Sequence, residues 1–362
     1  MPAPMLNATL KQEARPQKTL ELLGKGWSWL FLFLLVIFFS LSGQGFFSFF
    51  NLQNILTDMA FVLLIALGQT FIIISGGIDL STGYVMGLAA VISAQVVIAL
   101  GTRLPLPLVV LIGMGVGVIV GCIPGLLNGL LITRLAVPPF IVTLGMYAIV
   151  RGAGFLLSSG QPVSIATPGI GDLGNDAIIY LLPTGGISFF RVPSGLTPAQ
   201  LRAVIGLMPF QLLVSIVLVV VCYWLLAHTR FGVHTYAIGG NMQAALRAGI
   251  PVSRRLVQLY TLSALFASVA GVLYMFRYTG GTANAGDPLL IDSIAAAAIG
   301  GASLFGGKGT IIGTLIGTLI IAVIQNGLVI LDIDPFWQFI AIGAVIILAV
   351  FVDQAKAKLI DK

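Results

Sequence analysis

Two segments of this chain hold residue types at spacings that could do chemistry. The first, GGASLFGGKGT at residues 300–310, resembles a loop that cradles phosphate. Such a loop needs a lysine directly after its second key glycine and a hydroxyl residue directly after that lysine. Here Gly307 intervenes and Gly309 follows Lys308, so the reading favours a flexible turn between two helices. The second segment, GGIDLSTG at residues 76–83, places Asp79 inside apolar sequence. A carboxylate at membrane depth is costly and is a functional hypothesis by default. An equally physical role is to cap a helix that starts near Ser81 or Thr82. Both roles, capping and gating or pathway, stay open, and the same comparison applies to Asp287 and Asp292 in DPLLIDS, where Asp287 before Pro288 suits a helix start. Cys122 and Cys222 have no further cysteine partners, and His228 and His234 share one loop without cysteines or paired carboxylates, so no metal site or catalytic set is expected.

The elements that must position these residues are set by composition. Apolar types fill 58% of 362 positions and charged types 8%, with mean hydropathy +1.07. Soluble domains run near 45–50% apolar and about 25% charged. Uncharged runs of about 20 residues are long enough to cross a bilayer. The expectation is therefore an all-α polytopic membrane protein of about ten transmembrane helices, at residues 27–45, 55–75, 83–100, 106–131, 138–157, 209–227, 256–276, 289–303, 310–331 and 336–352. It divides into an N-terminal cytoplasmic segment 1–26, a transmembrane domain 27–353 and a cytoplasmic tail 354–362. An external loop 158–208, expected to carry short surface helices, and an inner loop 228–255 interrupt the domain. With both termini cytoplasmic, thirteen of the 18 Lys and Arg residues fall on the inner side. Only Arg103, Arg191, Arg202 and Arg277 fall outside, and Arg151 lies within the fifth span. This bias is the positive-inside pattern, so the net charge of +6 reports topology rather than nucleic-acid binding.

Gly113, Gly117, Gly121, Gly125 and Gly129 recur every four residues in the fourth span, and Gly309, Gly313 and Gly317 do so in the ninth. Such stripes let helices approach closely in lipid, within one chain or between subunits. Pro124 should kink the first of these helices. Asn128-Gly129-Leu130 and Asn326-Gly327-Leu328 close the two striped spans, and their five-span offset is what an inverted repeat would give. Gln69, Asn128, Gln325 and Asn326 join Asp79 and Asp292 as candidates for a pathway or gate, with interhelical hydrogen bonding as the plainer role.

Within the inner loop, RFGVHTYAIGGNMQAALRAGIPVSRR, residues 241–249 read as a short amphipathic helix that could lie on lipid or meet a soluble partner. Gln243-Ala244-Ala245, three residues, then Gly249 resembles the EAA-x3-G signature of bacterial ABC-importer permeases. With GGIDLSTG, VPPFIVTLGM from Val137 and IDSIAAAAIGGASLFGGKGTIIGTLIG from Ile291, the chain from about residue 50 to Asp353 is similar to permeases of the ribose/galactose/xylose type. Gln243 stands where the general signature has glutamate, and the Ile-x-Leu-Pro that should follow is absent. The resemblance implies a permease subunit in the bacterial inner membrane, translocating a monosaccharide delivered by a periplasmic binding protein. It implies a second permease subunit and cytoplasmic ATP-binding subunits, which hold the ATP and Mg, with no cofactor and no ATPase in this chain. It makes Gly240, Asn241, Gln243, Ala244, Ala245, Arg247 and Gly249 the surface that couples to the ATPase. Permeases for branched-chain amino acids or nucleosides share the architecture, and an ion-coupled secondary transporter is the alternative from another class.

Overall fold

The protein, described by a computed structural model over residues 26–183, 185–334 and 336–360, is helical through its core. The expected N-terminal segment lies outside these residues except for Gly26. Among the described residues, seven helices are long and apolar enough to cross a bilayer: α2 (Phe49–Ile74), α3 (Thr82–Leu100), α4 (Leu106–Arg134), α5 (Pro139–Leu157), α8 (Phe210–His228), α11 (Val252–Arg277) and α13 (Ile311–Ile330). The chain is thus a multi-pass membrane protein. Two further apolar helices are shorter, α1 (Gly26–Ser42) and the stretch Phe336–Leu348 of α14 (Phe336–Ile360), and α14 runs into the expected tail as far as Ile360. Helix α2 is the central element. Every residue from Met59 to Ile74 is buried, and α11, α12 (Asp287–Ile299) and α13 pack around it.

The expected span at 289–303 is corrected by α12. That helix has 13 residues and so is about 20 Å long, short of a hydrocarbon core of about 30 Å. Its apolar run IAAAAIGGA looks continuous to hydropathy, but Gly301 takes φ +90. Gly301 N–H donates to the Ala298 carbonyl and Ala302 N–H to that of Ala297, each at 2.9 Å, which is the double hydrogen bond of a Schellman stop.

The glycine stripe of α4 serves two neighbours within the chain. A Cβ at Gly113 would lie 2.8 Å from the Val97 side chain, and one at Gly117 would collide with Ser93, both on α3. At Gly121, Gly125 and Gly129 it would collide with Ser268, the Tyr260 carbonyl and Val257 on α11. Gly313 and Gly317 lie as closely against Gly300 and Ala296 at the end of α12. Gly309, expected in the same stripe, instead precedes α13 with φ +153, where a Cβ would meet Ile74. The two classes of glycine give a direct test. Gly125→Val forces bulk into rigid backbone and should cost about 3 kcal/mol or more, whereas Gly115, with nothing within 4 Å, should accept valine. The fraction of detergent-extracted protein that elutes as one monodisperse peak measures both, and equal yields would contradict this packing.

The end of α2, α9 (Arg230–Gly240) and the 300–310 loop meet at one end of the bundle. At the opposite end the segment 158–208 carries α6 (Ile170–Asn175) and α7 (Pro198–Arg202), as expected. It also carries two small sheets that were not expected. Strand β1 (Val163–Ser164) pairs antiparallel with β5 (Gly280–Gly281), and β2 (Ile179–Leu181) pairs with both β3 (Ile187–Phe189) and β4 (Ile205–Gly206).

Candidate functional site

The α2–α3 loop folds back into the bundle instead of resting at its end. Gln69, more than a turn before the end of α2, donates from Nε2 to the Asp79 carbonyl and, at 3.1 Å, to Thr82 Oγ1. Asp79 is fully buried, not at an interface as the expected boundaries had it. Its Oδ1 accepts from Ser81 N–H at 3.0 Å and from Ser81 Oγ at 2.6 Å, which fixes the turn before α3 begins at Thr82. Asn128 on α4 donates from Nδ2 to Ser81 Oγ at 3.0 Å, and Thr143 on α5 donates to the Ile78 carbonyl at 3.2 Å. Among the described residues Asp79 Oδ2, Asn128 Oδ1 and Ser263 Oγ are buried without a well-formed hydrogen bond, with the Ser263 hydroxyl close to the Asp79 carboxylate. Gly77 allows the loop this depth, since a Cβ there would lie 2.6 Å from Tyr260 Oη. Asp79 therefore fixes the turn that leads into α3 and does not cap the helix itself, whose N-cap Ser81 makes no side-chain cap bond, and from inside the protein it is the node joining α2, α3 and α4.

The remaining polar candidates at depth pair off. Gln325 on α13 donates to Asp292 Oδ2 on α12 at 2.9 Å. Asn326 and Asn51 exchange side-chain amide bonds at 2.8 and 2.9 Å, tying α13 to α2. These geometries are interhelical hydrogen bonds that remove buried polar groups from lipid.

The loop 228–255 forms α9 and α10 (Met242–Arg247). Asn241 Oδ1 accepts from Ala244 N–H at 2.9 Å as the N-cap of α10. At the other end Gly249 takes φ +80, its N–H donates to Leu246 and Ile250 N–H donates to Ala245, a second Schellman stop. A Cβ on Gly249 would meet nothing within 4 Å, so the glycine is required by backbone conformation and not by close contact. Met242, Gln243, Ala244, Leu246 and Arg247 are exposed, but Ala245 is turned inward, 4% exposed among the core residues around Leu256 and Val252. This corrects the expectation that Ala245 belongs to an outward contact face. Behind α10, Arg255 Nε donates to His234 Nδ1 at 3.0 Å and its guanidinium lies 5.5 Å from the Phe231 ring centroid. Partial burial, then the positive Arg255 and Arg230, push the His234 pKa below its ordinary value.

Helix α9 is locked to both other loops at this end. Gly307 N–H donates to the Ile74 carbonyl at 2.8 Å, and a Cβ on Gly239 would collide with that same carbonyl. A Cβ on Gly306 would lie 2.7 Å from the Gly239 carbonyl and 3.0 Å from Gly76 Cα. The glycine loop at 300–310 thus serves as a backbone joint, with one of the N–H groups a phosphate would need already engaged. Gly240 follows within this joint, 3.1 Å from where a Gly307 Cβ would stand.

A fourth group of residues was not assembled by sequence reasoning. Tyr84 in the first turn of α3 meets Tyr147 of α5 edge to face, with ring centroids 4.7 Å apart. Arg151, one turn further along α5, stands over the Tyr84 ring at 5.6 Å, and Tyr147 Oη donates to Asp287 Oδ1 at 3.4 Å. The signal that could have found them is an arginine inside a span, which seldom faces lipid.

Residues 51–350 match the family described as branched-chain amino acid transport system / permease component. The fructose import permease protein of Rhizobium meliloti is 37% identical over 320 residues, covering 88% of this chain and 82% of that protein. The ribose import permease protein of Bacillus subtilis is 36% identical, covering 90% and 91%, and the galactose/methyl galactoside import permease protein of Escherichia coli is 35% identical, covering 93% and 96%. No solved structure matches the chain.

Proposed function

Since the chain belongs to this family of transport-system permease components, we propose that it is the membrane-spanning subunit of an ATP-binding-cassette importer that takes up a monosaccharide. The observation that carries this reading is near full-length similarity to permeases named for fructose, ribose and galactose. The family description names branched-chain amino acids, but the relatives just given are all sugar permeases.

The geometry suits a subunit driven from outside itself. Helix α10 is a short capped rod that presents Met242, Gln243, Ala244, Leu246 and Arg247 to a partner. Its neighbour α9 joins backbone to backbone with the loops that lead to α3 and α13. A push on α10 would reach the Asp79 node through rigid contacts, with no flexible side chain between. We place this end in the cytoplasm, with both termini, because its loops hold Arg134, Arg230, Arg247, Arg254, Arg255 and Lys308 against Arg103, Arg191, Arg202 and Arg277 toward the other end, the bias of the positive-inside rule. The membrane is then the bacterial inner membrane. The partners are a second permease subunit, cytoplasmic ATP-binding subunits that hold ATP and Mg, and a periplasmic sugar-binding protein that meets the segment 158–208. The chain itself needs no cofactor and catalyses no reaction.

The proposal extends to architecture. Helix α2 is followed by a Gly-Gly turn and α3, and α11, also 26 residues long, by a Gly-Gly pair and α12. Glycines of α4 seat α3 and glycines of α13 seat α12 in the same way, which supports two inverted halves within a ten-segment topology.

The test is reconstitution with the ATP-binding subunits and the binding protein in proteoliposomes. Sugar uptake should require ATP and all three components, and the purified chain alone should bind no ATP. Uptake by the chain alone under a proton or sodium gradient would replace this reading with secondary transport.

A further inference from the structure

We propose that Tyr147, Arg151 and Asp287, with Tyr84 behind them, form a subsite that contacts the neutral sugar as it passes through the membrane; this rests on the importer reading above. The four residues come from three helices, and backbone contact fixes their relation. Gly83, next to Tyr84, would place a Cβ 2.6 Å from the Gly286 carbonyl, so the starts of α3 and α12 abut directly. Gly154 on α5 would place one 3.2 Å from Ala283. Tyr84 is 2% exposed and serves as a fixed ring platform for the Arg151 guanidinium.

Arg151 is exposed and sits well inside α5, at its thirteenth residue. An arginine at this depth cannot face hydrocarbon cheaply, and its usual surroundings are a water-filled cavity or a partner group. The surface beside it is also polar. Asp287 is partly exposed at the first residue of α12, and Asn284 is exposed one turn before. A polar surface inside a span with this composition matches one class of ligand. The guanidinium supplies fixed donors for hydroxyl oxygens, the Asp287 carboxylate accepts from hydroxyl hydrogens, and the half-buried Tyr147 ring offers an apolar face to sugar C–H groups. The opposite charges of Arg151 and Asp287 flank the site and leave no single-sign field, so an uncharged polyol fits better than an anionic or cationic solute. The polar candidates at Asp292, Gln325 and Asn326 are hydrogen-bonded to protein, whereas Arg151 keeps its donors available.

The complete importer in proteoliposomes tests this by ATP-driven uptake of labelled ribose, fructose, xylose and galactose. Arg151→Gln and Tyr147→Ala should each lower uptake of the transported sugar about tenfold or more, the scale of one lost charge-assisted hydrogen bond or ring contact. ATP hydrolysis stimulated by the binding protein should persist, because no ATPase contact is touched. Arg151→Lys keeps the charge and removes the planar fork, so it should insert normally and still transport at a reduced rate. Full uptake with an unchanged order among the four sugars in Arg151→Lys and Tyr147→Ala would overturn the subsite and leave the importer reading standing. Absence of uptake of any sugar by the unaltered complex would overturn that reading and the subsite with it.

Discussion

Leu246→Glu combined with Met242→Glu should abolish ATP-driven uptake and leave the protein in the membrane at normal abundance, while Ala245→Glu alone should remove the protein. The three positions lie on one helix of six residues, and their fates differ because of the face each occupies. Met242 and Leu246 are one turn apart and 42% and 47% exposed, so glutamate at either disturbs nothing in this chain and should shift stability by no more than about 0.5 kcal/mol. An apolar pair on a docking rod is the kind of contact whose loss costs about 2 kcal/mol or more of binding, and two introduced charges exceed that. Ala245 is buried against the chain's own core, and a carboxylate there is unpaired, at about 3 kcal/mol or more. Uptake assays and membrane immunoblots of the two variants separate docking from folding. Normal transport by the Met242/Leu246 double variant would refute docking through α10, and normal abundance of Ala245→Glu would refute the inward placement of that residue.

Asp79→Leu should be the most destabilising change at the α2–α3 loop. It leaves the Ser81 N–H and hydroxyl without their shared acceptor in a fully buried site and frees Asn128 from an oriented Ser81. Each orphaned buried group costs about 1–3 kcal/mol, so a total of about 3–5 kcal/mol is expected. Asp79→Asn should behave differently. Its carbonyl keeps both bonds from Ser81, its amide stands where Oδ2 has no well-formed hydrogen bond, and Asn128 Oδ1 and Ser263 Oγ are acceptors without one in the same buried region. Removing a buried charge offsets what the weaker acceptor loses, and the variant should remain within about 1 kcal/mol of the unaltered protein. Thermal unfolding in detergent ranks the three proteins. An Asp79→Leu protein as stable as the parent would show that the node does not hold α3, and an Asp79→Asn protein as damaged as Asp79→Leu would show that the charge itself is required.

The sequence alone determined that this is a multi-pass helical membrane protein and roughly where its helices run, because uncharged runs of about 20 residues have one stable environment and one way to satisfy their backbones in it. It also determined the close helix contacts of α4, since glycine every fourth residue has one helical face, and the short capped helix of the 228–255 loop, since Asn241 and Gly249 act locally. Depth, facing and long-range pairing were decided only in the tertiary structure. Hydropathy averages over a window and cannot see a single glycine at positive φ, so α12 read as a full span although Gly301 stops it after 13 residues. Asp79 read as lying at the interface, with capping and gating both open, because its loop was assumed to stay at the surface, whereas Gln69, ten residues earlier, draws it inside. Ala245 read as outward because small residues suit docking, but small residues also suit burial, and only the packing of α10 on α9 and α11 distinguishes the two. Tyr84, Tyr147, Arg151 and Asp287 are spread over more than 200 residues, and no local pattern relates them until three helices bring them to one surface.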